Sequence, residues 1–106
     1  MNLEFITIKL FDELWGSCGL NDDALKSLQD TLLSDPENGE IIQGTGGARK
    51  MRIPLLHTGK RGGARVIYVY FADKKEIYFI LVYRKAAQKN LSLKEKNSIS
   101  KLGRIR

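Results

Sequence analysis

Lys50 and Arg52 stand one residue apart in the segment ARKMRIP, and two further cationic segments, GKRGGAR and YRK, follow downstream. Alternate side chains of a strand share a face, so Lys50 and Arg52 point together while Met51 and Ile53 turn the other way, into a core. Lys60 and Arg61 fall in the next loop, Arg65 opens the following strand, and Arg84 and Lys85 close the last one. If the three strands are antiparallel neighbours, these groups converge at one end of a sheet. Clustered cations suit a phosphodiester. Arginine binds phosphoryl oxygens bidentately, including the charge that builds on them when a 2′-hydroxyl attacks phosphorus. Arginine stays protonated and cannot act as a base. Lysine can if its pKa falls, and Lys50, flanked by Arg49 and Arg52, is crowded by positive charge. The same crowding describes a groove that binds phosphates without cleaving them.

Tyr68, Tyr70 and Tyr83 are interleaved with the cations and have rings that can stack on bases. Tyr68 and Tyr70 are expected to pack in or on the sheet instead. Tyr83, next to Arg84 and Lys85, suits either role.

Other chemistries lack their residues. His57 is the only histidine, which excludes two-histidine ribonuclease chemistry. No cysteine or acid cluster accompanies it at metal-ligand spacing, so no metal or cofactor is expected. Cys18 is the only cysteine and has no base nearby in sequence; it reads as a packed side chain. The Gly44-Thr45-Gly46-Gly47 loop is followed by a strand, not by Gly-Lys-Ser/Thr and a helix, so its glycines read as turn formers rather than a phosphate loop.

The chain has 106 residues, 42% hydrophobic and 28% charged, enough for one domain spanning 1–106. Its net charge of +6 is split unevenly. Residues 1–47 carry two bases and nine acids; residues 48–106 carry sixteen bases and three acids. A half that basic is suited to a polyanion. The opening MNLEFITIKL has neither the basic start nor the long apolar stretch of an export signal, and no apolar run is long enough to span a bilayer. A cytoplasmic protein is expected.

The elements that must position the cations follow from periodicity. Leu3 to Ile8 predicts a strand, and Lys9 to Gly16 a short helix with Leu10, Phe11, Leu14 and Trp15 at helical spacing. A second helix starts at an Asn21 or Asp22 cap, carries Leu25, Leu28 and Leu32 on one stripe, and ends at Ser34-Asp35-Pro36. Three strands follow, Arg49–Leu55, Ala64–Ala72 and Glu76–Arg84, the last two joined by the short polar link Asp73-Lys74-Lys75. Ser92-Leu93-Lys94-Glu95 has capping-box spacing for a final helix that Gly103 can close. The order β-α-α-β-β-β-α implies an α+β fold, with an N-terminal strand and two helices packed on a small, mostly antiparallel sheet, plus a short C-terminal helix.

The stretches IIQGTGGARKMRI, GKRGGARVIYVYF and IYFILVYRK resemble the RelE/ParE toxin superfamily, specifically its HigB-like branch. The resemblance is strongest over residues 41–85, and the element order on both sides is compatible with it. It implies the toxin of a type II toxin–antitoxin pair that cuts messenger RNA in the ribosomal decoding site, with an antitoxin partner and a toxin–antitoxin hetero-oligomer. It places Lys50 and Arg52 as the basic pair for proton transfer and charge stabilisation. Arg65 matches the arginine that holds the scissile phosphate, and Lys85 stands where RelE has an arginine proposed as general acid. Leu91 stands where RelE has a base-stacking tyrosine, so either Tyr83 substitutes or base orientation is looser. Arg49, Lys60, Arg61, Tyr83 and Arg84 make up the expected RNA-binding set. The ParE branch, which inhibits DNA gyrase, shares the fold but lacks this basic set; a non-catalytic nucleic-acid-binding module is the remaining alternative.

Overall fold

The structure, a computed structural model, describes residues 2–54, 63–88 and 90–105. Lys60, Arg61 and His57 lie outside them. The elements are β1 (Glu4–Thr7), α1 (Lys9–Ser17), α2 (Asp22–Ser34), β2 (Glu40–Ile41), β3 (Arg49–Ile53), β4 (Ala64–Phe71), β5 (Glu76–Arg84) and α3 (Leu93–Ile105). The strands form one sheet in the order β1-β5-β4-β3-β2. Only the β1–β5 pairing is parallel. The expected α+β architecture is the observed one.

Two differences have local causes. Sequence periodicity did not predict β2, because two residues are too short to show a period; the strand exists because β3 offers it an edge. The C-terminal helix runs through Gly103 to Ile105 and does not stop at the glycine. Glycine permits a helix end but does not impose one.

The sheet is covered on both faces. Against one face, α1 and α2 bury Phe11, Trp15, Leu28 and Leu32 over Ile53, Val66, Tyr68, Ile77, Phe79 and Val82. Phe11 stacks on Phe79 with ring centroids 5.3 Å apart, and Phe5 stacks on the same ring at 5.7 Å. Leu10 is half exposed, because the buried stripe of α1 runs through Phe11, Leu14 and Trp15 and Leu10 falls to one side of it. Against the other face, α3 and the segment before it bury Leu91 and Ile99 over Ile67, Val69 and Tyr83.

The helix ends follow their sequence signals. The Asn21 side-chain oxygen accepts from the Ala24 N–H at 2.9 Å, and Asp35 takes an extended conformation before Pro36. At α3 the capping box is reciprocal: the Glu95 N–H donates to Ser92 Oγ at 3.1 Å, and the Ser92 N–H donates to Glu95 Oε1 at 2.9 Å. Among the described residues no helix is long and apolar enough to cross a membrane.

Candidate nucleic-acid interface

Lys50 and Arg52 occupy β3, and their cross-strand partners on β4 are Ile67 and Arg65. Ile67 belongs to the core beneath α3, so the whole row lies on the α3 side of the sheet. Ile53 and Met51 pack on the opposite side, as the alternation requires. Arg52 and Arg65 are therefore directly opposed. Facing residues in an antiparallel pair have Cβ atoms about 5 Å apart, and like charges there repel. An anion lying between the two guanidinium groups would relieve that repulsion.

The cations open onto a cleft of about 310 Å³ lined by Asn38, Glu40, Lys50, Met51, Arg52 and Arg65. Arg52 is exposed, while Lys50 and Arg65 are half-buried. Arg65 donates from Nη1 to the carbonyl of Ala64 at 3.2 Å.

Asn38 and Glu40 come from the acidic half of the chain and were missing from the sequence-derived site. Glu40 is the cross-strand partner of Lys50. The only trace of this wall in the sequence is the Asn38-Gly39 turn just upstream of β3; which strand it would pair with is not written there.

The wall is pinned from behind. The Tyr68 hydroxyl donates to the Pro36 carbonyl at 2.9 Å and accepts from the Gly39 N–H at 2.9 Å. Tyr68 is fully buried, and burial pushes its hydroxyl pKa up. A Cβ on Gly39 would come within 2.9 Å of the Lys50 carbonyl and 3.0 Å of the Tyr68 hydroxyl, so only glycine lets the loop approach β3 this closely. Arg49 completes the brace, donating from Nη1 to the carbonyls of Glu37 and Gly39 and from Nη2 to the Glu37 carboxylate at 3.0 Å.

Several expected RNA contacts fall elsewhere. Arg49 pairs across the ladder with Tyr68, on the α2 side of the sheet, and its guanidinium is occupied by the Glu37–Gly39 loop. Arg84 sits opposite Ala64, also on that side, and lines a separate hollow with Ser17, Cys18 and Asn21. Neither shares the face of Lys50, Arg52 and Arg65. The strand alternation that unites the cations two apart also separates their immediate neighbours.

Lys85 is exposed in the turn after β5 and is not among the residues lining the cleft. Its N–H donates to the Gly63 carbonyl at 3.0 Å, extending the ladder one step past the Ala64–Arg84 pair.

Tyr83 is the cross-strand partner of Arg65, but it is only 8% exposed. Its ring is covered by the α3 side of the core with Leu91, so neither residue presents an aromatic face to the cleft. The hydroxyl is buried, with no hydrogen-bond partner among the described residues. Burial pushes its pKa up; Arg65 opposes the shift and Glu95 adds to it. Cys18 is buried as expected, and burial likewise raises its thiol pKa, which withholds the thiolate a nucleophile needs. The Gly44–Gly47 loop makes turns: Gly44, Gly46 and Gly47 have positive φ, and Thr45 Oγ1 closes the loop on the Ile42 carbonyl and the Ala48 N–H.

The family model described as the RelE toxin of the RelE/RelB toxin–antitoxin system matches residues 9–105. The chain belongs to the RelE toxin family. A solved structure of the E. coli toxin RelE, a double arginine-to-alanine mutant in the free state, superimposes with a TM-score of 0.60 at 18% identity and covers 100% of both chains. That likeness is one of fold. Membership of a RelE family of toxin–antitoxin toxins implies an antitoxin partner for this toxin.

Proposed function

We propose that this RelE-family toxin is a ribosome-dependent endoribonuclease of the HigB-like kind, which cuts messenger RNA in the decoding site and so stops translation. The observation that supports this reading best is the direct opposition of Arg52 and Arg65, with Lys50 on the same face. In this reading the scissile phosphate lies between the two arginines, and Lys50 adds a third cation. The 2′-oxygen forms a bond to phosphorus as the bond to the 5′-oxygen breaks, leaving a 2′,3′-cyclic phosphate and a 5′-hydroxyl. Negative charge grows on the non-bridging oxygens, and fixed guanidinium groups stabilise it where it develops. Lys85, at the strand end, gives a proton to the leaving 5′-oxygen. No metal takes part. Lys60 and Arg61, which the sequence places between Gly59 and Gly62, add two cations for the RNA backbone. The toxin acts in the cytoplasm, and the antitoxin holds it in a hetero-oligomer until it is released.

The test is translation of a defined messenger in a purified system, with 5′ ends mapped. Cuts at codon spacing that require ribosomes support the reading. An intact messenger with arrested supercoiling would point to gyrase inhibition of the ParE kind. Salt-sensitive RNA binding without cleavage would reduce the site to a binding module.

A further inference from the structure

The 2′-hydroxyl must lose a proton, and the sequence offers Lys50 to take it. The structure changes that choice. Glu40 stands directly across the β2–β3 ladder from Lys50, and both line the cleft. Opposite charges in that relation attract, which sets the Lys50 ammonium beside a carboxylate. Arg52 and Arg65, the other charged groups among the described residues that line the cleft with Glu40, cannot accept a proton at all. Among the described residues, Glu40 is the carboxylate that lines the cleft.

Its backbone is held as a catalytic group's should be. On one side the Gly39 N–H is bound by Tyr68 and the Gly39 carbonyl by Arg49. On the other, Ile41 is paired with Arg49 in the sheet. Glu37, three residues before Glu40, is bound to Arg49 and does not line the cleft.

We propose that Glu40 is the general base of the cleavage, and that Lys50 serves as a phosphate-binding cation rather than as the base. This rests on the endoribonuclease reading above. The Glu40 carboxylate accepts the proton of the 2′-hydroxyl as the new oxygen–phosphorus bond forms. The 5′-oxygen, leaving with its electron pair, takes a proton from Lys85, and the two groups exchange protons with solvent before the next turnover.

The experiment compares wild type, Glu40→Gln, Glu40→Ala and Lys50→Arg in the purified translation system, with thermal melts and pelleting on messenger-loaded ribosomes as controls for folding and binding. The expected result is a loss of a hundredfold or more in cleavage rate for Glu40→Gln, on the order of what general bases contribute, with ribosome binding kept. Added formate restores part of the activity of Glu40→Ala, which a structural role for Glu40 would not produce. Lys50→Arg keeps the charge and loses far less. Cleavage by Glu40→Gln within threefold of wild type, or a loss in Lys50→Arg larger than that in Glu40→Gln, would overturn the assignment while leaving the endoribonuclease reading intact. A wild-type protein that leaves the messenger whole would overturn the reading itself, and Glu40's role with it.

Discussion

Tyr83 faces Arg65 across β4 and β5 only because Ile80 is an extra residue in β5. Ile67 pairs with Leu81 and Tyr68 with Phe79, so Ile80 has no partner and the alternation of faces reverses there. Ile77 and Phe79 point toward α1 and α2; past the bulge, Leu81 and Tyr83 point toward α3. Without the extra residue Tyr83 would share the face of Phe79, and α3 would lose the ring it packs on.

Arg65→Ala is expected to cut the cleavage rate by about 10²–10³, the usual cost of deleting one fixed group that stabilises transition-state charge. Stability should hold or rise slightly, since the substitution removes one of two directly opposed cations. Rates from 5′-end mapping and a thermal melt measure both. Full activity would sink the proposed phosphate site.

Arg84→Ala should leave cleavage within a few-fold of wild type, because this guanidinium lies on the α1–α2 side of the sheet. The salt dependence of RNA binding should weaken for Arg65→Ala and stay as in wild type for Arg84→Ala, as neutralising one phosphate contact lowers the slope. A salt titration of both variants decides it. Equal effects would mean that RNA wraps both faces.

The same substitution at two buried tyrosines should have opposite outcomes. Tyr68→Phe leaves the Pro36 carbonyl and the Gly39 N–H without their partner and should cost about 1–3 kcal/mol. It should also loosen the wall that carries Glu40. Tyr83→Phe removes a hydroxyl that has no partner among the described residues and should leave stability unchanged or higher. Urea unfolding of the two variants tests this, and a large loss in Tyr83→Phe would show that its hydroxyl is bonded in solution.

Alkaline pH should unfold the protein through these tyrosines. Burial raises both hydroxyl pKa values above the ordinary value of about 10. The folded state therefore holds its phenolic protons more tightly than the unfolded state. That contribution is complete below the ordinary tyrosine pKa and is lost as pH rises through the raised folded values. Stability measured from neutral pH upward should fall above pH about 10, less steeply in Tyr83→Phe. A profile in which both variants and wild type fall in parallel would contradict this.

Gly39→Ala should destabilise by about 1–3 kcal/mol, the usual cost of overpacking. The added methyl meets the Lys50 carbonyl and the Tyr68 hydroxyl, so the loop bearing Asn38 must move away from β3. Cleavage should fall more than folding does, as judged by rate and melt at a temperature where the variant remains folded.

By itself the sequence determined the local pieces. A cap at Asn21 or Asp22, taken by Asn21, the Ser92–Glu95 box, the stop before Pro36 and the hairpin over Asp73–Lys75 all form as their residues dictate, because each depends on groups only a few positions apart. Alternation along β3 likewise settled that Lys50 and Arg52 share a face. Only the tertiary structure decided the rest. Which neighbours β3 has, and in what register, depends on pairing between distant segments. That pairing sets Arg52 against Arg65 and brings Glu40 to Lys50. It also turns Arg49 and Arg84 away and buries Tyr83. A one-residue shift in any of these pairings would change which side chains meet, because the two faces of a strand alternate at every step.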